Sequence, residues 1–209
     1  MNTEKEQEYS RGSEWRKWDL QVQTILDDGY ISIDKYWNEL KKEFPEKCKE
    51  LISVIGTEDL IKKYDSKEYF FTDTVDNEKI RAINYAKLFL SYLDIFISNS
   101  GAVCITDHNY EHNYLLDSLY KESEKTKTKI IPGVEVNIQG VHMLVLFGDM
   151  PYGKSSYSEG IKTFLAKLNI NNHKSDGVLT VSNKSYADVV DEIKKIGAIC
   201  IYPHCNSDN

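Results

Sequence analysis

Apolar and polar positions alternate over Trp18-Asp-Leu-Gln-Val-Gln-Thr24, which predicts a short, half-buried strand. Asp27-Asp28-Gly29 follows as a turn. Ser32 is placed to cap a helix whose apolar stripe is Tyr36, Trp37, Leu40 and Phe44, and Pro45 stops or restarts it. Residues 46–65 read as further helix with a break at Gly56-Thr57, and residues 66–75 as a polar and aromatic connector. The spacing of Ile80, Ile83, Ala86, Leu90, Leu93 and Ile97 predicts a long helix from about Asp76 to Ser98. Asn99-Ser100-Gly101 supplies its stop.

The second half of the chain is richer in strand signals. Ala102-Val-Cys-Ile-Thr106 is a short apolar, β-prone run, followed by a helical pattern from Glu111 to Ser123. Lys129–Ile138 and Val141–Phe147 read as strands. A helical stripe then runs through Ile161, Phe164, Leu165 and Leu168. Ser185-x-x-Asp188 resembles a capping box ahead of Val189, Val190, Ile193 and Ile196. Gly197 closes that helix, and Ala198–Tyr202 is a final buried strand. This order of strands and helices predicts an α/β fold with a largely parallel sheet or barrel. The helical stretch of about 45–98 is longer than one crossover needs and reads as an insertion.

Composition narrows the picture. The 209 residues are 41% hydrophobic and 11% aromatic, enough for a real core rather than a disordered chain. The net charge of −7 argues against a general electrostatic grip on nucleic acid, though not against a local basic groove. Residues 1–13 read as a polar arm and 14–209 as one domain. The longest apolar segment, Leu88–Ile97, is too short and too interrupted by Asp94 to span a bilayer. No leader is evident. Cys48, Cys104, Cys200 and Cys205 form no CxxC pair and read as reduced thiols, so a cytoplasmic location is expected.

The candidate chemistry is positional. The first strand run ends at Gln21 and Gln23, with Asp28 just beyond; the second ends at Asp107-His108. The third carries Glu135, the fourth opens with His142, and the last ends at His204. Ligands gather at the carboxyl ends of strands in parallel sheets and barrels. Imidazole and carboxylate together suit Zn, Mn or Fe. His112 and His173 read as surface side chains.

Five segments, Trp18–Thr24, Ile105–His108, Pro132–Glu135, Val141–Leu144 and Tyr202–His204, resemble in order and spacing the motifs of the PHP (polymerase and histidinol phosphatase) domain. The lead-in Gly12–Leu20 is similar to the amino-terminal PHP module of TrlF-like ATPases, some relatives of which are associated with anti-phage defence. The resemblance implies a distorted (β/α)7 TIM-like barrel, with up to three metals at the strand ends and phosphoesterase or nuclease activity. It further implies a carboxy-terminal ATPase region in a longer protein, and a barrel whose last strands lie beyond this chain.

Carried over position by position, the resemblance places the family's opening His-x-His ligands on Gln21 and Gln23. Its Asp-Gly carboxylate falls on Asp28 and its Thr-Asp-His histidine on His108, with Asp107 and Asp19 as outer partners. Its bridging glutamate falls on Glu135 and its next histidines on His142 and His204; the closing Asp-x-His has no counterpart. A carboxamide is a weak, neutral donor that does not replace imidazole on a transition metal. The resemblance therefore implies at most one well-formed divalent site, on Glu135, His142 and His204, and a partial one on Asp28 and His108. Phosphoester hydrolysis should be impaired, because losing a neighbouring metal removes transition-state charge stabilisation. Two alternatives stay open: an inactive PHP-like recognition or scaffold module, and a core whose histidines are simply hydrogen-bonded. Substrate contacts by Tyr30, Lys35, Tyr110 or Tyr202 also stay open.

Overall fold

A computed structural model describes residues 18–27, 32–71, 75–94, 101–109, 114–171, 174–175 and 178–203. Strand β1 (Trp18–Val22) is followed by five helices: α1 (Ile33–Glu43), α2 (Pro45–Ile55), α3 (Glu58–Lys63), α4 (Lys67–Phe71) and α5 (Val75–Tyr92). Then come β2 (Ala102–Ile105), α6 (Leu115–Ser123), β3 (Lys129–Ile138) and β4 (Val141–Leu146). A 3-10 turn at Pro151–Gly153 leads to α7 (Tyr157–Lys167) and the short strands β5 (Lys174–Ser175), β6 (Val178–Leu179) and β7 (Val181–Ser182). Helix α8 (Tyr186–Lys195) and β8 (Ile199–Ile201) close the described chain.

The main sheet runs β1-β2-β3-β4-β8, and β7 also pairs with β3. It curls into a half-barrel. β1, β2 and the first half of β3 are parallel, as the pattern predicts, but β3–β4 and β4–β8 are antiparallel. The sheet is therefore mixed rather than largely parallel. The reason is a two-residue hairpin: Gln139 (φ 51°) and Gly140 (φ 91°) both take positive φ, as a type I′ turn requires. Gly140 N–H is further fixed by the Asn137 side chain at 2.8 Å.

Local signals set most boundaries. Ser32 Oγ accepts from Lys35 N–H, Pro45 opens α2, and Gly56 at φ 124° separates α2 from α3. Ser185 Oγ accepts from Asp188 N–H, and Gly197 at φ 67° ends the α8 region. Three expectations differ. The 66–75 connector contains helix α4. α5 buries Ala82, Tyr85, Ala86, Leu88, Phe89 and Leu90, whereas Ile80 and Ile83 lie on its exposed flank. Phe44 is exposed as well, and α1 buries Ile33, Trp37 and Leu40 instead. The expected stop Asn99-Ser100 lies outside the described residues.

The helices cover one face of the sheet. Val103, Ile105, Val134, Val136, Met143 and Val145 point into that main core. The inner face of the half-barrel carries a second apolar cluster of Cys104, Leu144 and Leu146, flanked by Leu20, Ile131 and Ile201. Gly133 allows this face to close: a Cβ there would lie 2.7 Å from Cys104 Sγ and 2.9 Å from Val145 O. Cys48, Cys104 and Cys200 are unpaired thiols. Among the described residues no helix is long and apolar enough to cross a membrane.

Candidate metal centre

The parallel strands β1, β2 and β3 point their carboxyl ends to one rim. β2 leaves β3 after Pro132, and His108, three residues past β2, touches β3 by a single bridge at Glu135. Two backbone bonds make that bridge: Glu135 N–H to Asp107 O (3.2 Å) and Asn109 N–H to Glu135 O (2.8 Å). The β3–β4 hairpin then returns His142 to the same place. His142 pairs with Asn137, so it sits diagonal to Glu135 on one face of the sheet.

Three donor atoms converge. His108 Nε2 lies 3.2 Å from Glu135 Oε1, and His142 Nδ1 lies 2.5 Å from the same oxygen. The two imidazole nitrogens are 3.3 Å apart. A tetrahedral ion with bonds of about 2.0–2.1 Å holds its ligand atoms about 3.3 Å from one another. Two of the three edges already have that length, and the His142–Glu135 edge would have to open to admit an ion. His108, Glu135 and His142 form a group able to hold a metal ion. The glutamate side chain is 1% exposed and that of His142 is 35% exposed, so the group opens to solvent beside His142.

Several neighbouring side chains bond to this group. Gln21 Nε2 donates to Glu135 Oε2 at 3.0 Å. Asp27 Oδ2 accepts from His108 N–H at 2.6 Å and faces His108 Nδ1 at 2.9 Å. The Gln23 carboxamide lies 3.1 Å from the same Nδ1. One ring nitrogen cannot donate to a carboxylate and accept from an amide together. The Nδ1 hydrogen is donated to the Asp27 carboxylate, so Gln23 Nε2, though close, does not donate to that nitrogen.

Electrostatics follow from this packing. Burial alone would depress the His108 pKa, but the hydrogen bonds and charges of Asp27 and Glu135 outweigh it and hold it at about 10. Burial raises the Glu135 pKa; hydrogen bonds from His108, His142 and Gln21 reverse this and leave it below the usual carboxylate value. His108 would have to give up its Nε2 proton to hold an ion, which would link ion binding to proton release.

The sequence-predicted residues divide differently from the expectation. Glu135 and His142 do meet, and among the described residues His108, which the resemblance assigned to another ion, joins them. His204 and Asp28 lie outside the described residues, as do His112 and His173. The carboxylate that reaches His108 is Asp27, which sequence reasoning treated only as part of a turn. Asp107 acts through the β1 exit loop: its oxygens accept from Thr24 N–H (2.5 Å) and Thr24 Oγ1 (2.6 Å). Asp19 accepts from Gln21 N–H at 3.2 Å. Thr24 and Asp27 were missed; their one signal is a Thr and a carboxylate in the loop leaving the first strand.

No family model matches the chain, and neither curated proteins nor solved structures give a match.

Proposed function

We propose that the chain is a PHP-type, single-metal phosphoesterase or nuclease-like module, the amino-terminal part of a larger ATPase. The observation that carries this reading is the convergence of His108 Nε2 just beyond β2, Glu135 Oε1 within β3 and His142 Nδ1 at the start of antiparallel β4, on one rim of a half-barrel. The curled sheet is compatible with an incomplete (β/α)7 barrel of that family. Two imidazoles and a carboxylate suit Zn, Mn or Fe, and three protein ligands leave a position for water or substrate. A bound ion would supply Lewis-acid polarisation and a water of lowered pKa. The protein's own part is to hold that ion: His108 and His142 present neutral nitrogens, and Glu135 neutralises charge through one oxygen. The exposed side of His142 is where a phosphoester enters.

The surface charge sets the substrate class. A chain at −7 offers no broad attraction to a polyanion, so a small phosphoester or a short nucleic-acid end fits better than a long duplex. The test loads the purified protein with Mn or Zn, measures bound metal, and assays a phosphodiester, single-stranded and duplex nucleic acid. Absence of both bound metal and turnover in excess ion overturns the reading.

A second reading has its own support. Gln21 already occupies Glu135 Oε2, which the resemblance would give to a second ion. An inactive PHP-like recognition module accounts for that contact equally well. It predicts bound metal without turnover, or neither.

A further inference from the structure

We propose that Asp27 is the positioning residue of the metal centre: its carboxylate holds the His108 hydrogen on Nδ1 and aims the Nε2 lone pair at the position shared with Glu135 and His142. The inference rests on the metal-centre reading above, and adds a residue that neither the motif comparison nor the three-atom cluster includes.

The geometry is that of a carboxylate–histidine–metal relay. A single oxygen, Asp27 Oδ2, contacts both the main-chain N–H of His108 at 2.6 Å and its ring Nδ1 at 2.9 Å. Two contacts on one residue fix both where the imidazole starts and how it is turned. With Nδ1–H committed, Nε2 is the nitrogen left for an ion, and it is Nε2 that lies 3.2 Å from Glu135 Oε1 and 3.3 Å from His142 Nδ1. Such outer carboxylates fix the tautomer and raise the basicity of the ligating nitrogen.

Asp27 is itself held rigidly. It is 3% exposed, and a carboxylate so buried must be partnered. Its own N–H donates to Thr24 O at 3.0 Å, closing a turn. Thr24 is clamped by Asp107 through its N–H and its hydroxyl, and Leu26 N–H donates to Thr24 Oγ1 at 3.2 Å. Asp107 directly precedes His108. Thus Asp107 fixes the loop, the loop presents Asp27, and Asp27 fixes His108. The circuit closes on two adjacent residues, so the ligand and its orienting group are placed by one another.

The experiment titrates Co(II) into the whole chain and follows its visible absorption, for the native protein, Asp27→Asn and Asp27→Glu. Asp27→Asn should weaken Co(II) binding about 10–100-fold, with thermal unfolding of the metal-free protein still cooperative, and Asp27→Glu should recover part of the loss. In the Zn(II) form, nitrogen-15 spectra of the histidines should show His108 protonated at Nδ1 and metal-bound at Nε2. Equal Co(II) affinity in Asp27→Asn and the native chain overturns the inference while leaving the metal centre intact. Metal on Nδ1 of His108 overturns it too, and that measurement needs no variant that must fold. Failure of the native chain to bind either ion overturns the underlying reading as well.

Discussion

Gln21 sets its carboxamide nitrogen 3.0 Å from Glu135 Oε2, so the buried carboxylate of the centre faces the two histidines with its other oxygen alone. A glutamate held this way serves one ion. It cannot bridge two while the amide remains. Under the proposed PHP reading, this contact stands where the family pattern places a histidine ligand.

The first prediction follows from that contact. Gln21→His with Gln23→His should raise bound Mn(II) above one equivalent and increase phosphodiester turnover. Elemental analysis and a turnover assay check it. Unchanged metal content in a folded double variant would show that more than the ligand pair is missing.

Removing the shared carboxylate should be more severe than altering its surroundings. Glu135→Gln should lower metal affinity by more than the roughly 10–100-fold typical of an outer partner. Isothermal titration with Zn(II) reads this directly. It should also lower the His108 pKa, because the Glu135 charge and hydrogen bond help to raise it.

Gly133 offers a test of the fold rather than the site. A methyl group there meets Cys104 Sγ at 2.7 Å, Val145 O at 2.9 Å and Ile105 O at 3.0 Å. Two of these are backbone atoms of neighbouring strands that cannot step aside independently. Gly133→Ala should cost about 1–3 kcal/mol, measured by urea unfolding. Native stability in that variant would mean that β2, β3 and β4 do not pack as described.

Acid stability should depend on Glu192. Lys167 Nζ (2.7 Å), the Tyr152 hydroxyl (2.7 Å) and Lys195 Nζ (3.4 Å) surround its carboxylate and hold its pKa at about 2, the Lys167 hydrogen bond contributing most. The folded value lies below the ordinary 4.5, so this stabilisation is present above pH 4.5 and is lost as pH falls towards 2. Lys167→Met should therefore lower stability by about 1 kcal/mol at neutral pH and by less at pH 3. Urea midpoints at the two pH values check the sign.

What was legible in the sequence was local. Ser32, Ser185, Pro45, Gly56 and Gly197 act within a few residues of themselves, and the elements they bound appear where the pattern predicts. The antiparallel β3–β4 pair is dictated by its two-residue connection, Gln139-Gly140, too short for a parallel crossover; the alternating strand–helix order around it masks that signal. The exposed flank of α5 was misread because periodicity shows that a stripe exists but not which neighbour selects it. For the site, the residue types and strand ends were legible. The contact itself was not: His108 meets Glu135 at an isolated bridge just beyond β2 and through its ring at 3.2 Å. Asp27 and Asp28 are neighbours in sequence, and the loop geometry that brings Asp27 to His108 depends on Thr24 and Asp107.

The most direct test of the account is metal stoichiometry in the native chain. The protein is incubated with excess Zn(II) or Mn(II), desalted, and analysed for bound metal beside Glu135→Gln. The account predicts close to one equivalent in the native protein and almost none in the variant, with both still folded. No retained metal in the native chain, or equal retention in the two, would contradict it.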